Sequence, residues 1–142
     1  MPTKVAYLGP EGTYAEKAAN SLARLEKIEN PEFVPCVGLL SVIEHAAKKL
    51  CDAAVVPIEN SVEGGVTASL DALWMYRELF IRRAVILPIR HSLFSCGSMN
   101  NISEVLSHPQ ALAQCSGWLH HHVPNAIQLP PSSTAAAVTM VG

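Results

Sequence analysis

Apolar and polar positions change along the chain in a way that predicts strands and helices in turn. Short apolar runs are followed by stretches in which apolar residues recur every three or four positions, the spacing of one helix face. The predicted strands are 4–8, 32–37, 53–58, 80–89, 104–107 and 126–129. The predicted helices are 13–25, 41–50, 67–76, 109–122 and a last one that begins at 132–134. Such alternation predicts an α/β fold with mainly parallel sheets and covering helices.

Local residue pairs predict where the first two helices begin. Thr13 with Glu16, and Ser41 with Glu44, have the spacing of a capping box. Pro35 indicates that the second strand lies at a sheet edge, because proline has no N–H to donate to a neighbouring strand.

The strand and helix alternation occurs twice, which predicts two lobes. Residues 1–78 are predicted to form lobe 1, residues 79–91 a crossover strand, and residues 92–142 lobe 2. Clefts at lobe junctions are favoured ligand sites. We therefore expect a ligand between the lobes.

The segment 53–65 carries the most unusual polar groups of the chain. Its apolar run ends at Glu59 and Asn60, where a buried strand is expected to leave the core. Gly64 and Gly65 then allow a tight turn or a close approach to a ligand. Ligands of open α/β sheets lie where the carboxyl end of a strand gives way to a helix. This segment is thus predicted to line the site.

Composition narrows the class of protein further. With 49% hydrophobic and 15% charged residues, the 142-residue chain is too apolar to be disordered. A net charge of −2 gives no electrostatic case for nucleic acid. No apolar run approaches the ~20 residues needed to span a membrane, and no signal-peptide core follows Met1. Four scattered cysteines predict reduced thiols, so we expect a cytoplasmic protein.

Four junctions between a predicted strand and a predicted helix carry polar residues. They are 9–13, 59–65, 107–110 and 132–134. Helix N-termini offer unpaired N–H groups and partial positive charge, so several in one cleft would bind a small carboxylate metabolite. Alternatively, Thr13, Ser133 and Thr134 only cap helices. Both roles are compatible, because a hydroxyl can accept from a helix N–H and donate to a ligand.

Several of these segments resemble prephenate dehydratase. The similar segments are 9–14, 56–61 with 63–64, 107–115 and, more weakly, 133–135. The resemblance implies a two-lobed fold like the type II periplasmic binding proteins, with prephenate bound between the lobes. It also implies decarboxylation and dehydration of prephenate to phenylpyruvate, a late step toward phenylalanine, without a metal or organic cofactor.

The resemblance also assigns candidate site residues. Those expected to hold substrate are Thr13, Asn60, Ser61, Gln110, Ser133 and Thr134. Glu59 and Asn60 are expected to shape the reacting centre and act in catalysis, although Glu59 could instead pair with a helix N-terminus. His91 matches a family position too, but a lone histidine after an apolar strand is at least as often structural.

The chain departs from the family at its C-terminal end. The family's dehydratase domain continues into a Thr-Arg-Phe motif, usually followed by a regulatory ACT domain, and neither is present in 1–142. We therefore interpret the fold as truncated at the C-terminus and expect little or no activity from this chain alone. The family tends to form homodimers or homotetramers. The alternatives are a non-catalytic small-carboxylate binding module of the same fold and a structural oligomerisation fragment.

Three further patterns favour structural roles. Consecutive residues His120, His121 and His122 point in different directions on a helix, so they do not predict a metal site. Arginines near Trp74 are interpreted as a solvated helix end or a subunit contact, not as a nucleic-acid patch. Cys115 is predicted to lie too far along its helix from His108 to form a nucleophile pair.

Overall fold

The computed structural model describes residues 1–130 and 134–141, and the side chains of 1–130 and 137–141. The chain divides into two compact units, unit 1 from Met1 to Pro88 and unit 2 from Ile89 to Gly142. The elements of unit 1 are β1 (Thr3–Leu8), α1 (Tyr14–Leu25), β2 (Pro31–Cys36), α2 (Leu39–Ala47), β3 (Ala53–Val55), β4 (Glu59–Asn60), β5 (Gly64–Gly65) and α3 (Thr67–Met75). Those of unit 2 are a 3₁₀ turn (Met99–Asn101), β6 (Glu104–Leu106), α4 (Pro109–His122), β7 (Ile127–Leu129) and α5 (Thr134–Met140).

The main sheet of unit 1 is parallel and has β1 at its centre, in the order β2-β1-β3. Successive side chains of β1 point to opposite faces of the sheet. Val5 and Tyr7 pack with Ala19 of α1 on one face, while Ala6 packs with Val42 of α2 on the other. The two faces are covered by different helices. This confirms the predicted α/β class.

The strand β2 lies at an edge of this sheet, as Pro35 predicted. The strand β3 is shorter than predicted and ends at Val55 rather than at 58. Beyond this point the chain after β1 stays beside β2 and not beside β3, since Gly9 N–H donates to Cys36 O at 3.0 Å. Residues 56–58 are left without a ladder partner on β1.

The two predicted capping boxes have different outcomes. Glu16 N–H donates to Thr13 Oγ1 at 3.4 Å, and α1 begins directly after Thr13. The prediction that Ser41 caps the second helix is wrong, because α2 starts one turn earlier, after Gly38. Gly38 has a φ of 86°, which glycine adopts without steric cost, and its carbonyl accepts the first helical bond from Val42.

The predicted crossover strand is not formed. Residues 79–95 lie outside helices and strands, because within the described residues no neighbouring strand pairs with them. Instead, Arg82 and Arg83 both bind the carboxylate of Glu26 at the end of α1. The division between units falls inside the predicted crossover. The predicted lobe bounds of 1–78 and 92–142 stay a prediction.

Unit 2 contains a second, smaller parallel pair. β6 pairs with β7 in the register Val105↔Gln128. Val105 packs with Leu112 and Leu119, which lie seven residues apart on one face of α4. Pro109 occupies the first turn of α4, as predicted. Among the described residues, no helix is both long enough and apolar enough to cross a membrane.

Candidate functional site

The junction after β1 holds Thr13 by two hydrogen bonds. Its Oγ1 accepts from Glu16 N–H at 3.4 Å and donates to Pro10 O at 3.0 Å. The carboxylate of Glu16 closes the same turn by accepting from Gly12 N–H at 2.6 Å. A hydroxyl carries one proton, so in this arrangement Thr13 offers a ligand only a remaining acceptor lone pair. The cap that sequence predicted is formed.

Tyr7 lies in the core close to this junction and is only 1% exposed. Burial, followed by the nearby negative charges of Glu16 and Glu11, raises the pKa of its phenol. The phenol is therefore neutral throughout the physiological range. It contributes apolar packing and no charge to the junction.

The junction after β3 is a tight antiparallel hairpin in which Glu59 pairs with Gly65 and Asn60 pairs with Gly64. The side-chain oxygen Oδ1 of Asn60 accepts two backbone N–H groups, from Val62 at 3.0 Å and from Glu63 at 2.7 Å. These bonds use both lone pairs of the amide oxygen. The Nδ2 group is thus the part of the Asn60 side chain left to meet a ligand, as a donor.

Glu59 and Ser61 flank Asn60 and are both exposed. Among the described residues, the Glu59 carboxylate makes no hydrogen bond or ion pair, so the alternative structural pairing with a helix N-terminus is not formed there. Gly64 has a φ of 77°, and a Cβ added there would meet nothing within 4 Å. The positive φ, and not a lack of space for a side chain, is therefore the reason for a glycine at this position.

The junction after β6 leads directly into α4. The N-cap of this helix is His108, whose Nδ1 accepts from Gln110 N–H at 3.2 Å. Ser107 N–H donates to Leu129 O of β7 at 3.3 Å. Gln110 is half-buried in the first turn. Sequence reasoning gave His108 no role in the site, although a residue directly before a proline at the first helical position is expected to be the N-cap.

His91 contacts α4 within unit 2. Its Nε2 donates to Oε1 of Gln114 at 2.6 Å. This bond ties the chain before β6 to the helix, which agrees with the structural role that sequence left open for His91. Gln114 belongs to a segment similar to the family, and His91 matches a single family position.

The fourth junction is described only in part. Ser133 lies outside the described residues, and Thr134 is the first residue of α5 with its side chain outside them. The substrate-binding roles predicted for Ser133 and Thr134 stay predictions.

Sheet topology brings the predicted junctions together in pairs. β1 and β3 are parallel neighbours, so the turn that holds Thr13 and the hairpin that holds Asn60 follow the same edge of one sheet. In unit 2, β6 and β7 are also parallel neighbours, so Gln110 and the chain after Leu129 follow one edge. Each unit thus places its polar junctions at the carboxyl ends of its strands.

An open cleft of about 950 Å³ lies within unit 2 and has a mainly apolar lining. Ser107 and His91 contribute polar groups to it, and Cys115 lines it as a half-buried thiol. Burial raises the pKa of Cys115. Its sulfur is therefore a protonated thiol at neutral pH and a poor nucleophile.

The histidine run at the end of α4 is engaged locally. The ring of His122 stacks on Trp118 with centroids 4.1 Å apart, and its Nδ1 donates to Trp118 O at 2.9 Å. Within the described ranges, no group of three or more His, Cys, Asp or Glu side chains is arranged to hold a metal ion.

The chain has the type II periplasmic-binding-protein-like α/β fold, the class of the solved structures that resemble it. Two solved structures share this fold. A prephenate dehydratase from Arthrobacter aurescens in complex with L-Phe has a TM-score of 0.80 and 36% identity, with 98% of this chain and 45% of that chain covered. The prephenate dehydratase of Staphylococcus aureus has a TM-score of 0.74 and 28% identity, with 99% and 52% covered.

Sequence comparisons agree with the structural ones. The family model for prephenate dehydratase matches residues 5–142. The prephenate dehydratase of Amycolatopsis methanolica is 36% identical over 140 residues, which is 98% of this chain and 44% of that protein. The bifunctional chorismate mutase/prephenate dehydratase of Aquifex aeolicus is 35% identical over 135 residues, 94% and 36% of the two chains. The chain belongs to the prephenate dehydratase family, and it spans about half the length, or less, of these relatives.

Proposed function

We propose that the chain forms the prephenate-binding part of a prephenate dehydratase, which converts prephenate to phenylpyruvate in L-phenylalanine biosynthesis. The observation that carries the proposal is the hairpin at 59–65. It belongs to a segment similar to the family, and it holds Asn60 with its amide Nδ2 available as a donor at the carboxyl edge of the sheet. A donor at this place suits a substrate with two carboxylates.

The chemistry explains what each group would do. As the ring carboxylate leaves as carbon dioxide, its bonding electrons enter the ring, and the ring hydroxyl leaves with a proton as water. Asn60 and Gln110 would hold carboxylate oxygens through their amide donors. Glu59 would lie on the side of the departing hydroxyl, because a carboxylate facing the substrate carboxylates would repel them. Thr13, Ser61, Ser133 and Thr134 would complete the binding shell.

The whole protein is proposed to be a cytoplasmic homo-oligomer, a dimer or a tetramer, with a regulatory ACT domain. No cofactor and no metal enter the proposed reaction. This chain alone is expected to bind prephenate with little or no turnover.

A second candidate is a non-catalytic binding module for small carboxylates. Two hydrogen-bonded groups favour this candidate. The amide oxygen of Asn60 and the hydroxyl of Thr13 both bond within local turns, so they stabilise the backbone there and transfer no proton to a substrate. Comparing prephenate binding with phenylpyruvate formation separates the two candidates. Turnover above the uncatalysed background would exclude the binding module.

The test of the site itself is Asn60→Asp. The aspartate keeps an oxygen to accept from Val62 and Glu63, so the hairpin persists, but it replaces the Nδ2 donor by a charged oxygen. We expect prephenate to bind at least about tenfold more weakly, measured by titration calorimetry, since a hydrogen bond to a charged group contributes about 1.5–3 kcal/mol. Asn125→Asp, at an exposed turn of unit 2, adds the same charge and should bind as the wild type. If Asn60→Asp binds prephenate as well as the wild type, Asn60 does not belong to the binding site. If the wild type does not bind prephenate, the proposed function is wrong.

A further inference from the structure

The cap of α4 is unusual because it is an imidazole. Helix N-caps are most often Ser, Thr, Asp or Asn, whose short side chains accept from the second or third residue of the helix. Here His108 accepts from Gln110 N–H through Nδ1 at 3.2 Å. Its own carbonyl accepts from Leu112 N–H at 3.0 Å, the first bond of the helix.

This cap fixes the tautomer of the ring. A nitrogen that accepts a hydrogen bond carries a lone pair and no proton, so in the neutral ring the proton lies on Nε2. The two ring nitrogens direct their bonds to nearly opposite sides. With Nδ1 turned toward the first turn of α4, Nε2–H points away from the helix. Within 1–130 and 137–141, Nε2 has no hydrogen-bond partner, and His108 is half-buried.

The same cap removes backbone donors from the helix N-terminus. Pro109 at the first position has no N–H, and the N–H of Gln110 at the second position is taken by His108. The expectation that this N-terminus binds an anion through its free N–H groups is thereby weakened. The junction thus has fewer free backbone N–H donors, but it gains one side-chain donor, the Nε2–H of His108.

We propose that His108 is a substrate-binding residue, whose Nε2–H donates a hydrogen bond to a carboxylate oxygen of the bound ligand beside Gln110. The inference rests on the proposed function, and it adds a residue that the family resemblance did not assign a role. The hydrogen bond from Gln110 N–H to Nδ1 fixes the orientation of the ring, and the fixed ring directs Nε2–H toward the ligand. A donor fixed before binding loses little side-chain freedom when the ligand arrives.

Two substitutions separate donation from capping. His108→Asn keeps the cap, because an asparagine oxygen accepts from Gln110 N–H, but its amide is too short to replace Nε2–H. His108→Ala removes both. If His108 donates to the ligand, both variants bind prephenate about tenfold more weakly, the loss expected for one hydrogen bond to a charged group. If it only caps, His108→Asn binds as the wild type, and the proposal is overturned.

A matched control lies on the same helix. His120 is exposed near the other end of α4, and His120→Asn should leave prephenate binding unchanged. Circular dichroism reports whether each variant keeps its helix content, so that a loss of binding by His108→Asn is not confused with unfolding.

Nitrogen-15 NMR of the imidazole tests the tautomer and the contact directly. We expect the Nε2–H form in the free chain and a shift of the Nε2-bound proton on addition of prephenate. A Nδ1–H tautomer would overturn the proposal without reference to any ligand. A wild-type chain that does not bind prephenate contradicts the proposed function and this inference together. Wild-type binding with an unchanged His108→Asn contradicts the inference alone.

Discussion

Units 1 and 2 both place parallel strands beside helices, but they bury their central residues to different depths. On β1 of unit 1, Val5, Ala6 and Tyr7 are 2%, 0% and 1% exposed. In unit 2, Val105 of β6 and Leu112 of α4 keep 7% and 8%. The central strand β1 has neighbours on both sides and a helix over each face, whereas β6, in the part of the chain that the structure describes, pairs with β7 alone and leaves one edge open.

The comparison teaches that the same local pattern of strand and helix gives different stability according to what surrounds it. Two-stranded sheets are marginal alone and depend on packing against other elements. In unit 1, a helix packs on each face of the sheet. Unit 2 keeps an open cleft beside its pair of strands, so we expect it to open more readily.

The largest expected effect follows from Ile43→Ala in the core of unit 1. Ile43 is 1% exposed on α2, and its truncation should cost about 3–4 kcal/mol as lost burial plus an unfilled cavity. Amide hydrogen exchange measures the result, because a loss of 3 kcal/mol speeds exchange of the β1 amides about 100-fold. The β6 amides should keep their rates. Equal acceleration in both units would show that they unfold as one, which breaks the comparison.

Leu50→Ala is the control for this substitution. Leu50 belongs to the same unit but is 60% exposed, so its truncation should change stability by less than about 0.5 kcal/mol. Fast exchange of β1 in this variant would mean that unit 1 is not organised around its buried strand.

A smaller effect, with opposite signs in the two units, is expected from two glycines. Gly64 in the hairpin of unit 1 has a positive φ, so Gly64→Ala should cost about 1–2 kcal/mol in strain. Gly117 lies inside α4 of unit 2 with open space around its Cβ position, so Gly117→Ala should stabilise its helix by up to about 1 kcal/mol. Exchange of the Glu63 and α4 amides measures each locally. The same sign at both glycines would contradict the contrast.

The sequence predicted well those features that depend on neighbouring residues, such as helix caps, and on the spacing of apolar positions, such as strands. The short apolar run at 4–8 predicted the strand β1, the Thr13 cap formed, and the edge position of β2 followed from Pro35. The end of the apolar run at 53–58 placed Asn60 after a strand, but its double acceptor role depends on the positions of two backbone N–H groups that only the folded hairpin fixes.

The failures share a physical cause, which is that a local pattern does not specify its partner. The apolar alternation of 80–89 is typical of a strand, but a strand needs a neighbour, and within the described residues this segment is held by ion pairs to Glu26 instead. Ser41 has the spacing of a cap, yet Gly38 begins the helix one turn earlier. His108 was missed because capping by imidazole is uncommon.

The smallest expected effect concerns the ion pairs of Glu26 and their pH dependence. Hydrogen bonds from Arg83 and then Arg82 lower the pKa of the Glu26 carboxyl in the folded chain. A lowered folded pKa means that the stabilisation is present above the unfolded pKa and is lost as the pH falls through the folded one. As the pH falls from about 7 to about 3, the side-chain Nε–H signals of Arg82 and Arg83 should therefore shift toward those of an unpaired arginine, which NMR measures directly.

Glu26→Gln should remove this local pH dependence, because the amide cannot form the ion pairs at any pH. Glu29→Gln, exposed just beyond α1, should retain it. If Glu26→Gln keeps the wild-type pH dependence at Arg82 and Arg83, the carboxylate does not anchor the segment, and its course must be fixed by packing instead.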